Sequence, residues 1–276
     1  MEILYLCNSN DFLTGSFELA CYLAKRTNSV LVGVIFESLY WEETPIVRRS
    51  GTRNYIDYNV STAIPENDPV RAQADQQIKK FKEACIAAEV RHKVHIDRNK
   101  PIGEVISESR YADLAILNTT GFYPKEAKTI AFIKNILEKS ECPLIVGPQH
   151  FEKIDRLIFS YDGSLNAVYA IKQFSYLLPL FKDIPITLVE VLMGKQKGIT
   201  EKHKLSEWLN MHYTHIEFIS LNGQESEKLI EYLADIQDAM VIMGGYGRNI
   251  LSHLFAPSVS ATVVGTIDLP VFIAHT

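Results

Sequence analysis

Arg156-Leu157-Ile158-Phe159-Ser160-Tyr161, then Asp162-Gly163-Ser164-Leu165-Asn166-Ala167, then the run from Val168 to Phe181 and the segment Ile186–Leu192, is the stretch whose reading decides the fold. An unbroken apolar strand passes through a short turn of aspartate, glycine and serine into an amphipathic run, and the chain then returns as a second apolar strand. Strands without polar alternation are covered on both faces, as in a parallel sheet. Their alternation with helix-length runs argues a doubly wound α/β unit.

The same order occurs at the start of the chain. Ile3-Leu4-Tyr5-Leu6-Cys7 is followed by a polar turn through Ser16, the amphipathic run Phe17–Thr27 and the strand Ser29–Phe36. Further along, Gly103–Leu117 corresponds to Glu227–Met243, each reading as helix, short turn with an aspartate, and buried strand. Glu141-Cys142-Pro143-Leu144-Ile145-Val146 corresponds to Asp268-Leu269-Pro270-Val271-Phe272-Ile273. In both, proline opens a strand, where its missing N–H does least harm. Short additional strands are expected at Arg91–Ile96 and His215–Ile219. The chain therefore reads as two tandem doubly wound, Rossmann-like domains, 1–148 and 153–276, divided by the turn residues Gly147-Pro148-Gln149-His150. Half of 276 residues is an ordinary domain size. The first unit alone carries an insertion between Tyr40 and Pro69, rich in proline and polar residues, which reads as a long loop.

Composition bounds the function classes. The chain is 47% hydrophobic and 22% charged, enough apolar material for a core. No stretch has the roughly 18 uninterrupted apolar residues needed to cross a bilayer, and Met1–Leu6 runs straight into a strand pattern without a signal-peptide layout. A cytoplasmic protein is expected. The formal charge of −5 leaves no basic face for nucleic acid. The one local basic run, Arg48-Arg49-Ser50-Gly51-Thr52-Arg53, reads as a solvated loop. Cys7, Cys21, Cys85 and Cys142 are scattered without a C-x-x-C pair, as buried free thiols in a reducing compartment would be.

Ligands in open α/β sheets lie beyond the carboxyl ends of the strands. Three pieces of the second half converge there. Asp162-Gly163-Ser164 follows the first strand, and Asp162 can accept a sugar hydroxyl or help hold a cation. Taken alone, the piece reads more simply as a helix cap. Met243-Gly244-Gly245-Tyr246-Gly247-Arg248-Asn249 follows another strand, and its glycines let backbone N–H groups approach an anion. It is neither the G-x-x-x-x-G-K-[ST] loop nor G-x-G-x-x-G, since Ile250 stands at the last position. Pro257-Ser258-Val259-Ser260 then opens an amphipathic stretch whose N–H groups would face the same loop.

Gly244-x-x-Gly247, nine intervening residues, Pro257 followed by Ser258-Val259-Ser260, and the ending Ile267-Asp268-Leu269-Pro270-Val271-Phe272-Ile273 resemble the universal stress protein family. Its nucleotide motif is G-x-x-G, nine residues, then glycine and serine or threonine. The resemblance covers the chain well from Asp155 onward and more loosely before it. It implies five-stranded parallel sheets flanked by helices in each unit, and a stress-response or signalling role. It implies ATP or a related adenine nucleotide as ligand, with Mg2+ as its companion cation. Asp162 would lie near ribose or phosphates and Val191 beside the adenine, while Gly244, Gly247, Ser258 and Val259 line the phosphate path. Arg248 and His253 follow Gly247 closely enough to approach the phosphates.

One departure stands at Pro257, where the family has glycine: proline offers no N–H and removes one phosphate donor. The first half departs further, with Asn8-Ser9 in place of Asp-Gly-Ser and a lone Gly121 after the strand Leu114–Asn118, and is expected to bind no nucleotide. The two halves are expected to pair through Pro143–Val146 and Val271–Ala274, as single-domain relatives pair between chains, and whole chains could pair further. No histidine stands in a nucleophile or zinc motif, so no catalytic or metal-binding residue is assigned, and slow ATP hydrolysis is the most that is expected. A nucleotide-free tandem acting through a protein partner is the alternative. An enzyme of the adenine-nucleotide α-hydrolase type, such as an ATP-dependent ligase or an electron-transfer-flavoprotein-like module, has less support, because S-G-G-x-D-S follows neither first strand.

Overall fold

The computed structural model describes residues 1–8, 14–36, 46–50, 53–57, 69–97, 101–118, 133, 135–192, 201–244 and 267–276. The strands are β1 (Glu2–Asn8), β2 (Val30–Phe36), β3 (Ile46–Ser50), β4 (Arg53–Asp57), β5 (His92–Asp97) and β6 (Leu114–Asn118). They continue as β7 (Leu144–Gly147), β8 (Arg156–Ser160), β9 (Ile186–Leu192), β10 (Ile216–Asn222), β11 (Ala239–Gly244) and β12 (Val271–Ala274). The helices used below are α1 (Gly15–Arg26), α2 (Pro69–Ala87), α3 (Pro101–Ser109), α4 (Leu165–Leu177), α5 (Lys202–Asn210) and α6 (Glu225–Ala234).

Ten strands form one sheet in the order β10-β9-β8-β11-β12-β7-β6-β1-β2-β5. The order is one five-strand pattern used twice, reading outward from the middle. Within each run all neighbours are parallel. The runs meet in the antiparallel pair β7–β12, with Val271 opposite Val146, Phe272 opposite Ile145 and Ile273 opposite Leu144. The strands expected to face each other across the two halves thus pair directly. The segments expected as short extra strands are β5 and β10, at the two ends of the sheet.

The apolar runs explain this layering. Alternate residues of each central strand feed opposite faces. One core layer holds Tyr5, Ile116, Ile145, Phe272, Ile242 and Phe159, packed under α1 and α4. The other holds Leu4, Leu117, Val146, Ile273, Val241 and Val189, packed on α6. Both layers continue across the β7–β12 seam, so the halves share one core rather than abutting.

The insertion departs from the expected loop. The antiparallel pair β3–β4 lies within it, with Ser50 opposite Arg53. Of the basic run read as a solvated loop, Arg48-Arg49-Ser50 lie in β3 and Arg53 opens β4. Gly51 between Ile46-Val47 and Tyr55-Ile56 was the available signal, because a glycine turn between β-branched or aromatic residues favours a tight hairpin.

Phe272 is fully buried at the seam, with its ring edge-to-face on Phe174 at 5.3 Å. Phe272→Ala is expected to cost about 3–5 kcal/mol. Urea denaturation followed by circular dichroism measures this, and both halves should melt together at the lower midpoint.

Candidate functional site at the sheet's carboxyl edge

From β8 the chain moves outward through α4 to β9 and α5 to β10, then returns through α6 to β11 on the other flank of β8. The carboxyl ends of β8 and β11 therefore bracket a topological switch point, where α/β sheets place their ligands. Three of the residues singled out from sequence meet at this edge. Asp162 follows β8, Val191 lies near the end of the neighbouring β9, and Gly244 ends β11. Gly247, Arg248, Ser258 and Val259, with Pro257 and His253, lie outside the described residues.

Asp162 is exposed and belongs to a local turn. Its Oδ1 accepts a hydrogen bond from the Ser164 N–H at 2.9 Å, and Gly163 takes φ of 78° between them. A glycine meets that left-handed backbone without strain. Ser164 is the N-cap of α4, its Oγ accepting from the Ala167 N–H at 3.1 Å. The cap reading of this segment is therefore realised, with one oxygen of Asp162 engaged in the turn. Val191 is half-buried and packs with the α6-side core beside Ile219 and Leu221.

Gly244 has a packing reason of its own. A Cβ there would stand 2.5 Å from both the Asn166 carbonyl carbon and the Ala167 nitrogen, so the first turn of α4 rests directly on the strand end. Asn166 also accepts, through Oδ1, from the Thr276 N–H at 3.3 Å and its hydroxyl at 3.2 Å.

The first half fills the matching position differently. Asn118 pairs with Gly147 on β7 as Gly244 pairs with Ala274 on β12, so the two are equivalent. The Asn118 side chain is fully buried and hydrogen-bonded to the Tyr5 phenol, whose ionisation burial pushes far above its usual range. Close approach of helix to strand moves one position over. A Cβ on Gly15 would meet the Gln149–His150 backbone, and Gly147 lies against Ser16. The start of α1 is tied there by Gly15 N–H to Gln149 O at 2.8 Å and Ser16 Oγ to Pro148 O at 2.7 Å.

The remaining reactive side chains have structural positions. His95 Nδ1 contacts Glu108 Oε1 at 2.9 Å, His92 Nδ1 lies 3.1 Å from Val90 O, and His212 stacks on Trp208 at 4.2 Å. Among the described residues no group of three or more His, Cys, Asp or Glu could hold a metal ion, and no helix is long and apolar enough to cross a membrane. Sequence reasoning missed Asn166 and Trp208, since neither sits in a motif.

Two outcomes follow from this geometry. Gly244→Ala should destabilise the protein by about 1–3 kcal/mol, because the added methyl meets backbone rather than a movable side chain; urea midpoints measure it. Burial pushes Cys7, Cys21 and Cys85 up to about 12 and Cys142 to about 11. At neutral pH the thiolate is then essentially absent. The native protein should leave Ellman's reagent uncoloured, and all four thiols should react once it is unfolded in guanidinium.

No family model matches the chain. In sequence it is 28% identical over 163 residues to the universal stress protein Slr1230 of Synechocystis sp., a match covering 58% of this chain and 56% of that relative's own length. In fold it matches the crystal structure of a universal stress protein from Archaeoglobus fulgidus DSM 4304 with a TM-score of 0.68, over 99% of this chain and 96% of that one, at 16% identity. The chain is thus similar in sequence to one universal stress protein over 58% of its length, spans about half of that relative, and shares the fold of another along 99% of its length.

Proposed function

We propose that the unit 153–276 binds ATP or a related adenine nucleotide across the carboxyl ends of β8 and β11, and that the unit 1–148 binds none. The observation that carries this reading is the contrast at one equivalent position, Gly244 in the second half against the buried Asn118 in the first. Glycine lets the N-terminal turn of α4 close directly on the strand tip, bringing a helix start to the switch point, whereas the first half buries an amide side chain there. Asp162 would serve the ribose or phosphates with the carboxylate oxygen its turn leaves over. Val191 would offer an apolar contact to the base. Gly247, Arg248, Ser258 and Val259 would supply N–H groups, charge and a hydroxyl along the phosphates, with Mg2+ as the counter-ion. The role that fits such a site is nucleotide-dependent stress response or signalling inside the cell.

A second reading has one specific observation in its favour. Pro257 removes an N–H that the nucleotide motif uses. On that reading the tandem carries no nucleotide and works through a protein partner.

Native mass spectrometry of gently purified protein, followed by titration with ATP and magnesium, separates the two. The expected result is one adenine nucleotide per chain, saturable, and lost in Gly247→Asp. An absence of binding at millimolar ATP would overturn the nucleotide reading in favour of the second.

A further inference from the structure

The carboxyl end of β8 also borders a cavity on the other side of the sheet from Val191. It has a volume of about 270 Å³ and lies between α4 and α5. Its walls are Tyr161, Ile171, Leu205 and Trp208, and Lys172 and Lys204 reach it with Glu201. Tyr161, Ile171 and Leu205 belong to the α4-side core layer, whereas Val191 packs on the α6 side, so the space is separate from the proposed base contact.

Size and wall chemistry restrict what fits. The volume falls just short of the roughly 300–1,000 Å³ of drug-sized sites but admits one small ring system. Tyr161, which borders the cavity where β8 ends, is 4% exposed, so the space reaches down to the strand end. Two aromatic residues and three aliphatic ones, Val168 among them, favour a flat apolar body.

The charges select the other end of the ligand. Glu201 and Lys204 satisfy each other at 2.7 Å. Lys172 is half-buried and makes no ion pair among the described residues. An unpaired ammonium on the rim of an apolar slot favours an anion and disfavours a cationic ligand.

We propose that this cavity binds a small planar aromatic carboxylate, its ring among Tyr161, Ile171, Leu205 and Trp208 and its acid group on Lys172. The reading does not rest on nucleotide binding. The ATP titration tests the phosphate loop, and either site can fail without the other.

The test uses fluorine NMR of the full-length protein with a fluorinated naphthoate and its neutral alcohol as probes. The naphthoate should bind saturably and more tightly than the alcohol. Lys172→Gln should weaken the naphthoate roughly fivefold, the upper range for a partly exposed charge contact, and leave the alcohol unchanged. Val168→Trp, which fills the space from α4, should abolish binding of both. Equal binding of the two probes, naphthoate binding insensitive to Lys172→Gln, or no saturable signal at millimolar probe would each overturn the proposal. Should Val168→Trp prove unfolded by circular dichroism, Lys172→Gln alone decides, since that side chain carries no packing role in the core.

Discussion

The antiparallel contact between β7 and β12 is the interaction on which the rest of the structure depends. Each five-strand run ends in a short strand of four residues, and alone that strand would present a bare row of N–H and C=O groups to water. Pairing the two ends removes both edges at once. Pro143 and Pro270, placed just before these strands, donate nothing, yet their carbonyls accept from Ala115 N–H and Val241 N–H, each at 2.9 Å. The prolines thus lock each terminal strand to its own run, and the antiparallel register locks the runs together. Because Ile145 and Phe272 are equivalent residues that also face each other, the seam has the symmetry of a two-fold contact within a single chain.

Symmetry of scaffold does not extend to the tips of the strands. The two halves solve one packing problem, bringing the first helix down on the sheet, with glycines in different places. In the second half the close approach is at Gly244 on β11. In the first it moves to Gly147 on β7, and β6 is left free to end in a buried asparagine. The residue that can stand at the strand tip is therefore tied to where the helix leans. A polar side chain buried at the tip needs partners, and Asn118 finds one in Tyr5, where the second half has Phe159.

The repeat of strand and helix patterns and the parallel sheet were readable from sequence, because both depend on apolar runs that admit few arrangements, whereas the pairing of the terminal strands was expected from the family resemblance and the need to cover sheet edges. Asp162, Val191 and Gly244 were singled out from sequence and lie at one edge of the sheet, but the contact of Gly244 with Asn166 and Ala167 is a three-dimensional fact with no signature at i±4 or any other spacing. The β3–β4 hairpin was hidden by the prolines and polar residues around it, which outweighed one glycine between short apolar pairs. The Trp208 cavity was equally hidden. Its walls come from the end of β8, α4 and α5, and each of those residues has an ordinary core or surface place in its own element.

The turn between the halves ties their chemistry together. Asp268, which leads into β12, accepts from Gln149 N–H at 2.5 Å, from His150 N–H at 3.0 Å and from His150 Nδ1 at 2.6 Å. Gln149 in turn accepts from the N–H of Gly15 at the start of α1. At the opposite end, His275 Nε2 lies 3.2 Å from Leu137 O in the first half. Asp268, just before β12, is therefore linked through Gln149 to the first helix of the other half. The seam is thus held at both of its ends by hydrogen bonds between the halves, in addition to the β7–β12 register along its length.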